Sequence, residues 1–185
     1  MSEIPVVADI GHDPDALEAF YRAHLEQVQR FIARRVTSPH DAADLTADVF
    51  LEAIRSCHHF RADLGNPSAW LFGIARNVVA GHHRSTGRAA QAHTRFDARG
   101  WLNDDSIERI AARIDAESTG RALLASLADL PERQRAVVEL VAVDGLALTE
   151  AAVALGISPT NARVRYHRAR KRLTQSIPTA FEVTP

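Results

Sequence analysis

The sequence predicts an all-α chain made of two small helical domains joined by a flexible linker, the C-terminal one containing a helix-turn-helix. Three observations carry this. Apolar residues recur at three- and four-residue steps over most of the chain, and no sustained alternation of apolar and polar residues marks a strand. Near the C-terminus a short helical pattern, a glycine turn and a longer basic helix follow one another. With 185 residues there is room for two such units.

Leu17, Phe20, Tyr21, Val28, Phe31 and Ile32 share one helical face, which predicts a helix over roughly residues 13 to 36, opened by Asp13 and Pro14. Thr37, Ser38 and Pro39 interrupt it. A second helix, from about Pro39 to Cys57, turns Ala42, Leu45, Val49, Ala53 and Ile54 towards a core and shows Asp41, Asp44, Asp48 and Glu52 on its other side. FRADLGNP then reads as a loop with Gly65, Asn66 and Pro67 as turn residues. A third helix, about Ser68 to Ser85, buries Leu71, Ile74, Ala75 and Val78 and leaves Arg76, Ala80 and Arg84 in line. These elements make a first domain over residues 13–87.

Residues 88–118 have weak periodicity and mixed charge, so a linker is expected there, with one short helix around Ile107 to Ile114. The second domain, residues 119–177, begins with a helix to about 129. LPERQRAVVELVAVDG follows, with Pro131 near a helix start and Gly145 beyond its end. Then come LTEAAVAL (Leu148 to Leu155), the turn GI, and a last helix capped by Ser158 with Pro159 in its first position.

Charge is segregated along the chain although the formal net charge is only -1. Residues 1–63 carry eleven acids against six arginines. Leu64 to Phe96 has no acid but holds Arg76, Arg84, Arg88 and Arg95, with His82, His83 and His93 among them. Ala151 to Phe181 is also free of acids, and six of the ten residues from Arg163 to Arg172 are Arg or Lys. Two such stripes are the electrostatic footprint of a polyanion partner, because phosphate contacts release counterions and supply much of the affinity.

No apolar run approaches the length of a membrane span, and Met1 to Ile10 lacks the basic start and apolar stretch of a signal peptide, so a cytoplasmic location is expected. Cys57 is the single cysteine, which excludes an internal disulfide and a cysteine-based metal site. The pairs His58-His59 and His82-His83 point about 100° apart on a helix and belong to no HExxH or convergent His/Asp set, so no metal, cofactor or catalytic residue is expected.

In the last helix Ala162, Tyr166, Ala169 and Leu173 form a narrow apolar stripe able to pack on Leu148, Ala151, Ala152 and Leu155. Its N-terminal turn, with Thr160, Asn161 and Arg163, is then free to enter a major groove. Arg165, Arg168 and Arg172 share a different face that can grip phosphates. Arginine reads guanine bidentately and asparagine adenine, at roughly 1 to 3 kcal/mol of discrimination per good pair.

The stretch LADLPERQRAVVELVAVDGLALTEAAVALGISPTNARVRYHRARKRL (Leu127 to Leu173) resembles region 4 of bacterial RNA polymerase sigma factors. FYRAHLEQVQRFIARRVTSPHDAADLTADVFLEAIRS, with AWLFGIARNVVAGHHR after it, resembles region 2. The pair in this order, without another domain between, is similar to the extracytoplasmic function (ECF) subfamily. The resemblance implies that the chain is no enzyme. Its partners would be core RNA polymerase, through the clamp helices of the largest subunit, promoter DNA and an anti-sigma factor.

It further implies that region 4 recognises the minus 35 element through Thr160, Asn161, Arg163, Arg165, Arg168 and Arg172. Region 2 would recognise and melt the minus 10 element through Phe60, Asn66, Arg76, Asn77, His83 and Arg84. Phe60 can stack on an unpaired base, a contact of about 1 to 3 kcal/mol, or anchor its loop in the core; Trp70 is placed in the core. The polymerase-docking helix would present Asp44, Leu45, Asp48 and Glu52, with Ala47 and Asp48 standing where the family commonly has Gln and Glu.

Thirty or so linker residues span at most about 100 Å. Two DNA elements one and a half to two turns apart lie roughly 50 to 70 Å from one another, so the linker can bridge them. With both domains held on polymerase, their affinities combine through effective concentration, and the chain alone is expected to bind promoters weakly. The rival readings are a stand-alone helix-turn-helix repressor, which leaves the first ninety or so residues unexplained, and a metallohydrolase.

Overall fold

Each of the longest helices begins with a proline whose missing N–H costs nothing in the first turn, and a polar side chain stands ahead of it to cap the next donors. Asp13 precedes α1 (Pro14–Ala33) and accepts from the Asp15 N–H at 2.9 Å. Ser38 precedes α2 (Pro39–Ser56) and accepts from Asp41 at 3.2 Å. Asn66 precedes α3 (Pro67–Thr86) and accepts from Ala69 at 2.8 Å. The structure, a computed structural model, describes residues 7–63, 66–86 and 104–176. Among them no strand occurs, and no helix is long and apolar enough to cross a membrane.

Helices α1 to α3 close around Phe20, Phe31, Ile32, Val49 and Leu71, all fully buried. Short 3-10 turns at Val7–Gly11 and Cys57–His59 cover one end, bringing Val7, Ile10 and Cys57 into the same core. Tyr21, expected on the core face, lies at its margin: its ring packs on Phe50 at 4.6 Å between centroids, but the residue is 40% exposed. The helical apolar arc is wider than the contact its neighbours make.

The segment around Ile107 to Ile114 forms a longer helix, α4 (Asp104–Ala116), which lies against α1 and α2 rather than standing free. Ile110 and Ile114 are the reason: four residues apart on one face, both join the core of α1 to α3. The part of the expected linker from 88 to 103 lies outside the described residues.

Helices α5 (Ser118–Ser126) and α6 (Glu132–Val138) follow, and α6 continues into a π-helical turn at Glu139–Val143. Helix α7 (Leu148–Ala154) and helix α8 (Pro159–Ser176) make the helix-turn-helix. Gly156 sits between them at φ 62°, a conformation that costs any residue with a Cβ, and lets the Ile157 N–H reach the Ala152 carbonyl. Ser158 caps α8 by accepting from Asn161 at 3.2 Å.

The apolar stripe of α8 is turned inward, with Ala162 and Ala169 both fully buried, but Tyr166, Ala169 and Leu173 cluster with Leu127, Leu130 and Val138 and not with the expected Leu148, Ala151, Ala152 and Leu155. Leu155 behaves differently. With Ala154, Leu140, Leu146 and Ala151, it belongs to the core of α1 to α3, so the two halves of the chain share one apolar interior.

Candidate nucleic-acid interface

On α8 the apolar stripe leaves the remaining faces to water. Thr160, Asn161, Arg163 and Arg168 are exposed, as is Arg172, and Arg165 is half-buried. The Arg165 Nε donates to Asn161 Oδ1 at 2.9 Å, one helical turn back, which holds that guanidinium along the helix. Val164, 41% exposed between two arginines, was not among the expected contacts. Its signal was present in the sequence as an apolar residue off the stripe of a cationic helix.

The first-half residues divide. Arg76, His83 and Arg84 come together on one side of α3, along an open groove of about 670 Å³ that also holds Arg34, Arg35 and Arg135. Asn77 is exposed beside them. Phe60 is half-buried with its ring 5.4 Å from that of Trp70, so it anchors its loop. Asn66 spends its Oδ1 on the cap of α3, while its Nδ2 donates to Glu150 of α7 at 2.5 Å.

Burial, helped by the positive charges of His82 and Arg35, lowers the His83 pKa below the ordinary imidazole value. His24 is likewise pushed down by burial. Its Nδ1 receives the Gln27 amide, which also donates to Ser68 on α3 at 3.2 Å. Protonating Nδ1 would set two donors against each other. Both imidazoles bind fewer protons folded than unfolded, so their contribution to stability is complete above about pH 6.5 and is lost as pH falls through their lower folded values. Thermal melting is therefore expected to drop on acidification below about pH 6.5, with a shallower slope in His24→Gln.

The acidic face of α2 is also uneven. Glu52 is exposed and Asp48 half-buried, whereas one carboxylate oxygen of Asp44 is enclosed without a hydrogen-bond partner among the described residues. Leu45 is 5% exposed and packs in the core, which corrects its expected place on the docking surface. An apolar residue at this position of the helix is held inward by the contact with α1 and α3.

A junction that sequence reasoning missed joins the halves. Asp144, whose side chain is 0% exposed, accepts both terminal nitrogens of Arg35 at 3.0 and 2.6 Å and one from Arg34 at 3.2 Å. Arg34 also donates from Nε to Glu117 at 2.6 Å and to the Val143 carbonyl at 2.9 Å. Burial works against the Arg34 charge, but its hydrogen bonds and the charges of Glu117 and Asp144 outweigh it and raise the pKa. Arg35 lies 3.5 Å above the Phe31 ring centroid. Partners 109 residues apart leave no periodic trace in a sequence.

Comparison with known proteins places this geometry. The sigma-70 region 2 family matches residues 20–89, and the sigma-70 region 4 family matches residues 120–173. The ECF RNA polymerase sigma factor SigD of Mycobacterium tuberculosis is 33% identical over 181 residues, covering 95% of this chain and 84% of that protein. The ECF RNA polymerase sigma factor BldN of Streptomyces coelicolor is 30% identical over 179 residues, 96% of this chain, which spans 66% of BldN. Among solved structures, CnrH in complex with the cytosolic domain of CnrY shares the fold with a TM-score of 0.58 at 24% identity, covering 94% of this chain and 96% of that one. A two-part helical chain that matches both sigma regions in order, and aligns with ECF factors along nearly its own full length, belongs to the ECF family of RNA polymerase sigma factors.

Proposed function

We propose that the chain is a dissociable sigma factor that binds core RNA polymerase and directs it to promoters through minus 10 and minus 35 elements. The observation that carries this is the presentation of α8: Ala162 and Ala169 are sealed in the domain while Thr160, Asn161 and Arg163 stand in water at its N-terminal end. This is the arrangement by which a recognition helix reads base edges in a major groove. Arg168 and Arg172 suit phosphate contact. On α3, Arg76, Asn77, His83 and Arg84 supply a surface for the minus 10 element; Asn66 acts there by holding the start of the helix, and Phe60 by fixing the loop.

Asp48 and Glu52, with Asp44 at their margin, form the docking face for the clamp of the polymerase largest subunit. Leu45 supports that face from behind. The chain contributes binding and strand separation, with no covalent step of its own, and works in the cytoplasm where polymerase and promoter meet. An anti-sigma factor is a fitting further partner. Family membership over both halves leaves the repressor reading without support.

Run-off transcription with purified core enzyme over the source genome, followed by mapping of start sites, tests the proposal. Start sites that share two spaced elements are the expected result; no initiation above core enzyme alone would refute it. Val164 sharpens the test. An exposed branched side chain beside Arg163 suits a thymine methyl, so Val164→Ser is expected to lower discrimination for thymine at one position of the upstream element by about 1 kcal/mol, read by competition between promoter variants.

A further inference from the structure

Resting on the sigma-factor reading, we infer that the groove between α3 and the pair α5 and α6 is a site for a free nucleotide carrying two or more phosphates, which competes with promoter DNA for Arg76 and Arg84. The cations of this groove are not equivalent. Arg34 and Arg35 are engaged by Asp144 and Glu117, while Arg135 lies 3.5 Å from Glu139 and donates to the Ala128 carbonyl at 3.2 Å. Among the described residues, Arg76 and Arg84 make no hydrogen bond or ion pair. Two guanidinium groups are left for a ligand.

Those two arginines stand eight residues apart on α3, so about 12 Å of helix axis separates them. Ala80, midway between them and lining the same groove, offers only a methyl group. The small residue leaves a recess flanked by two cations, each able to take phosphate oxygens through a planar fork. His83 borders the recess as well. A single phosphate satisfies one fork; a chain of two or more is needed to reach both.

The opposite wall has the other polarity. Glu132 and Glu139 line it, together with the apolar side chains of Leu124, Ala125, Ala128 and Ala136. Glu132 is exposed and makes no hydrogen bond or ion pair among the described residues. A DNA strand repeats its phosphates along its whole length, so threading it through the groove would set like charges against these carboxylates. A nucleotide divides its chemistry instead: phosphates at α3, a flat base over the apolar surface, and base N–H groups donating to Glu132. The groove, of about 670 Å³, falls within the roughly 300 to 1,000 Å³ of small-molecule sites.

The carboxylate also selects the base. Guanine presents two adjacent donors, its ring N–H and its amino group, whereas adenine sets its amino group beside an acceptor nitrogen that repels a carboxylate. Guanine nucleotides are therefore preferred. Once bound, the ligand withdraws Arg76 and Arg84 from the minus 10 surface but leaves the acidic face of α2 untouched. Initiation falls while polymerase docking persists.

Calorimetric titration of the full chain with GDP is expected to show one site with a dissociation constant of about 0.1 mM or below. ADP and inorganic pyrophosphate should each bind at least about fivefold more weakly, and Glu132→Gln should erase the preference for GDP over ADP. Arg76→Gln and Arg84→Gln should each weaken GDP by about tenfold to a hundredfold, the loss typical of a hydrogen bond to a charged group. A phosphate beside His83 also favours its imidazolium, so the midpoint of its titration should rise when GDP is present.

Ala125→Glu places a carboxylate in the groove at an exposed position with no assigned contact to DNA. It is expected to abolish GDP binding and to leave run-off transcription without GDP unchanged. GDP, which polymerase does not incorporate, at ten times its dissociation constant should lower transcription by the wild-type factor about tenfold at subsaturating promoter, and spare the Ala125→Glu factor. Equal inhibition of both factors would place the effect on polymerase and overturn the proposal, as would a titration without saturable binding or equal binding of all three ligands. If GDP binds with the expected losses but no factor initiates with core enzyme, the site stands and the sigma reading falls; normal initiation without GDP binding removes the site alone.

Discussion

Asp48→Arg combined with Glu52→Arg is expected to remove the chain from core RNA polymerase, with at least about a hundredfold loss of affinity, because opposed like charges at an interface cost several kcal/mol. Glu52 is exposed and pairs with Arg55 at 3.7 Å, whereas Asp48 is half-buried and engaged by a neighbour. Glu52→Arg alone should change the melting temperature little, since surface substitutions of this kind stay within about 0.5 kcal/mol, so any larger drop in the double variant reports what the Asp48 contact contributes to folding. Asp44 is left intact in this variant because its enclosed oxygen makes any loss there ambiguous between docking and folding. Pull-down with core enzyme, alongside thermal melting, separates the outcomes. Unchanged co-purification would take this face out of the docking surface.

Arg163→Ala with Arg165→Ala is expected to weaken recognition of the upstream element while leaving polymerase binding untouched. Each good base contact is worth about 1 to 3 kcal/mol, so the pair together should cost between about thirtyfold and about twenty-thousandfold in competition against unspecific DNA. The losses are not independent. Arg165 is held by Asn161 Oδ1, so Asn161→Ala and Arg165→Ala should cost less together than the sum of the two, measurable as a coupling energy of at least about 0.5 kcal/mol in a double-mutant cycle. Arg168→Ala should act differently. A phosphate contact lowers affinity for all sequences alike and reduces the salt dependence by about one ion.

Most of the helices were legible because their signals are local. A proline with a polar residue ahead of it marks the starts of α1, α2 and α8 in the sequence as clearly as in the structure, and the stripe of Ala162 and Ala169 needed only the helical period. The α4 helix was seen only in part, since its isoleucines are few and its charges mixed, and what orders it is the core it lies on. Leu45 shows how a resemblance and a periodicity can disagree: the spacing placed it inward, the resemblance placed it at a surface, and packing followed the spacing. The resemblance assigned Phe60 and Asn66 to the minus 10 surface, with a loop anchor left open for Phe60; in the structure Phe60 packs on the ring of Trp70 and Asn66 caps the N-terminus of α3. The Asp144 junction left no mark at all, because nothing in a turn beside a glycine announces two arginines more than a hundred positions earlier.

The π turn at Glu139–Val143 sets where Asp144 points. Its wider ring, closed by the Asp144 N–H on the Glu139 carbonyl at 3.0 Å, accommodates one residue more than an α-helical turn would. Evolution could therefore uncouple the halves without altering any residue that touches across them: deleting one amino acid from this turn would rotate the carboxylate by about 100° around the helix axis, away from its guanidinium partners. Insertion or deletion at this turn, more than point substitution elsewhere, would then change how firmly the two halves of this chain hold together.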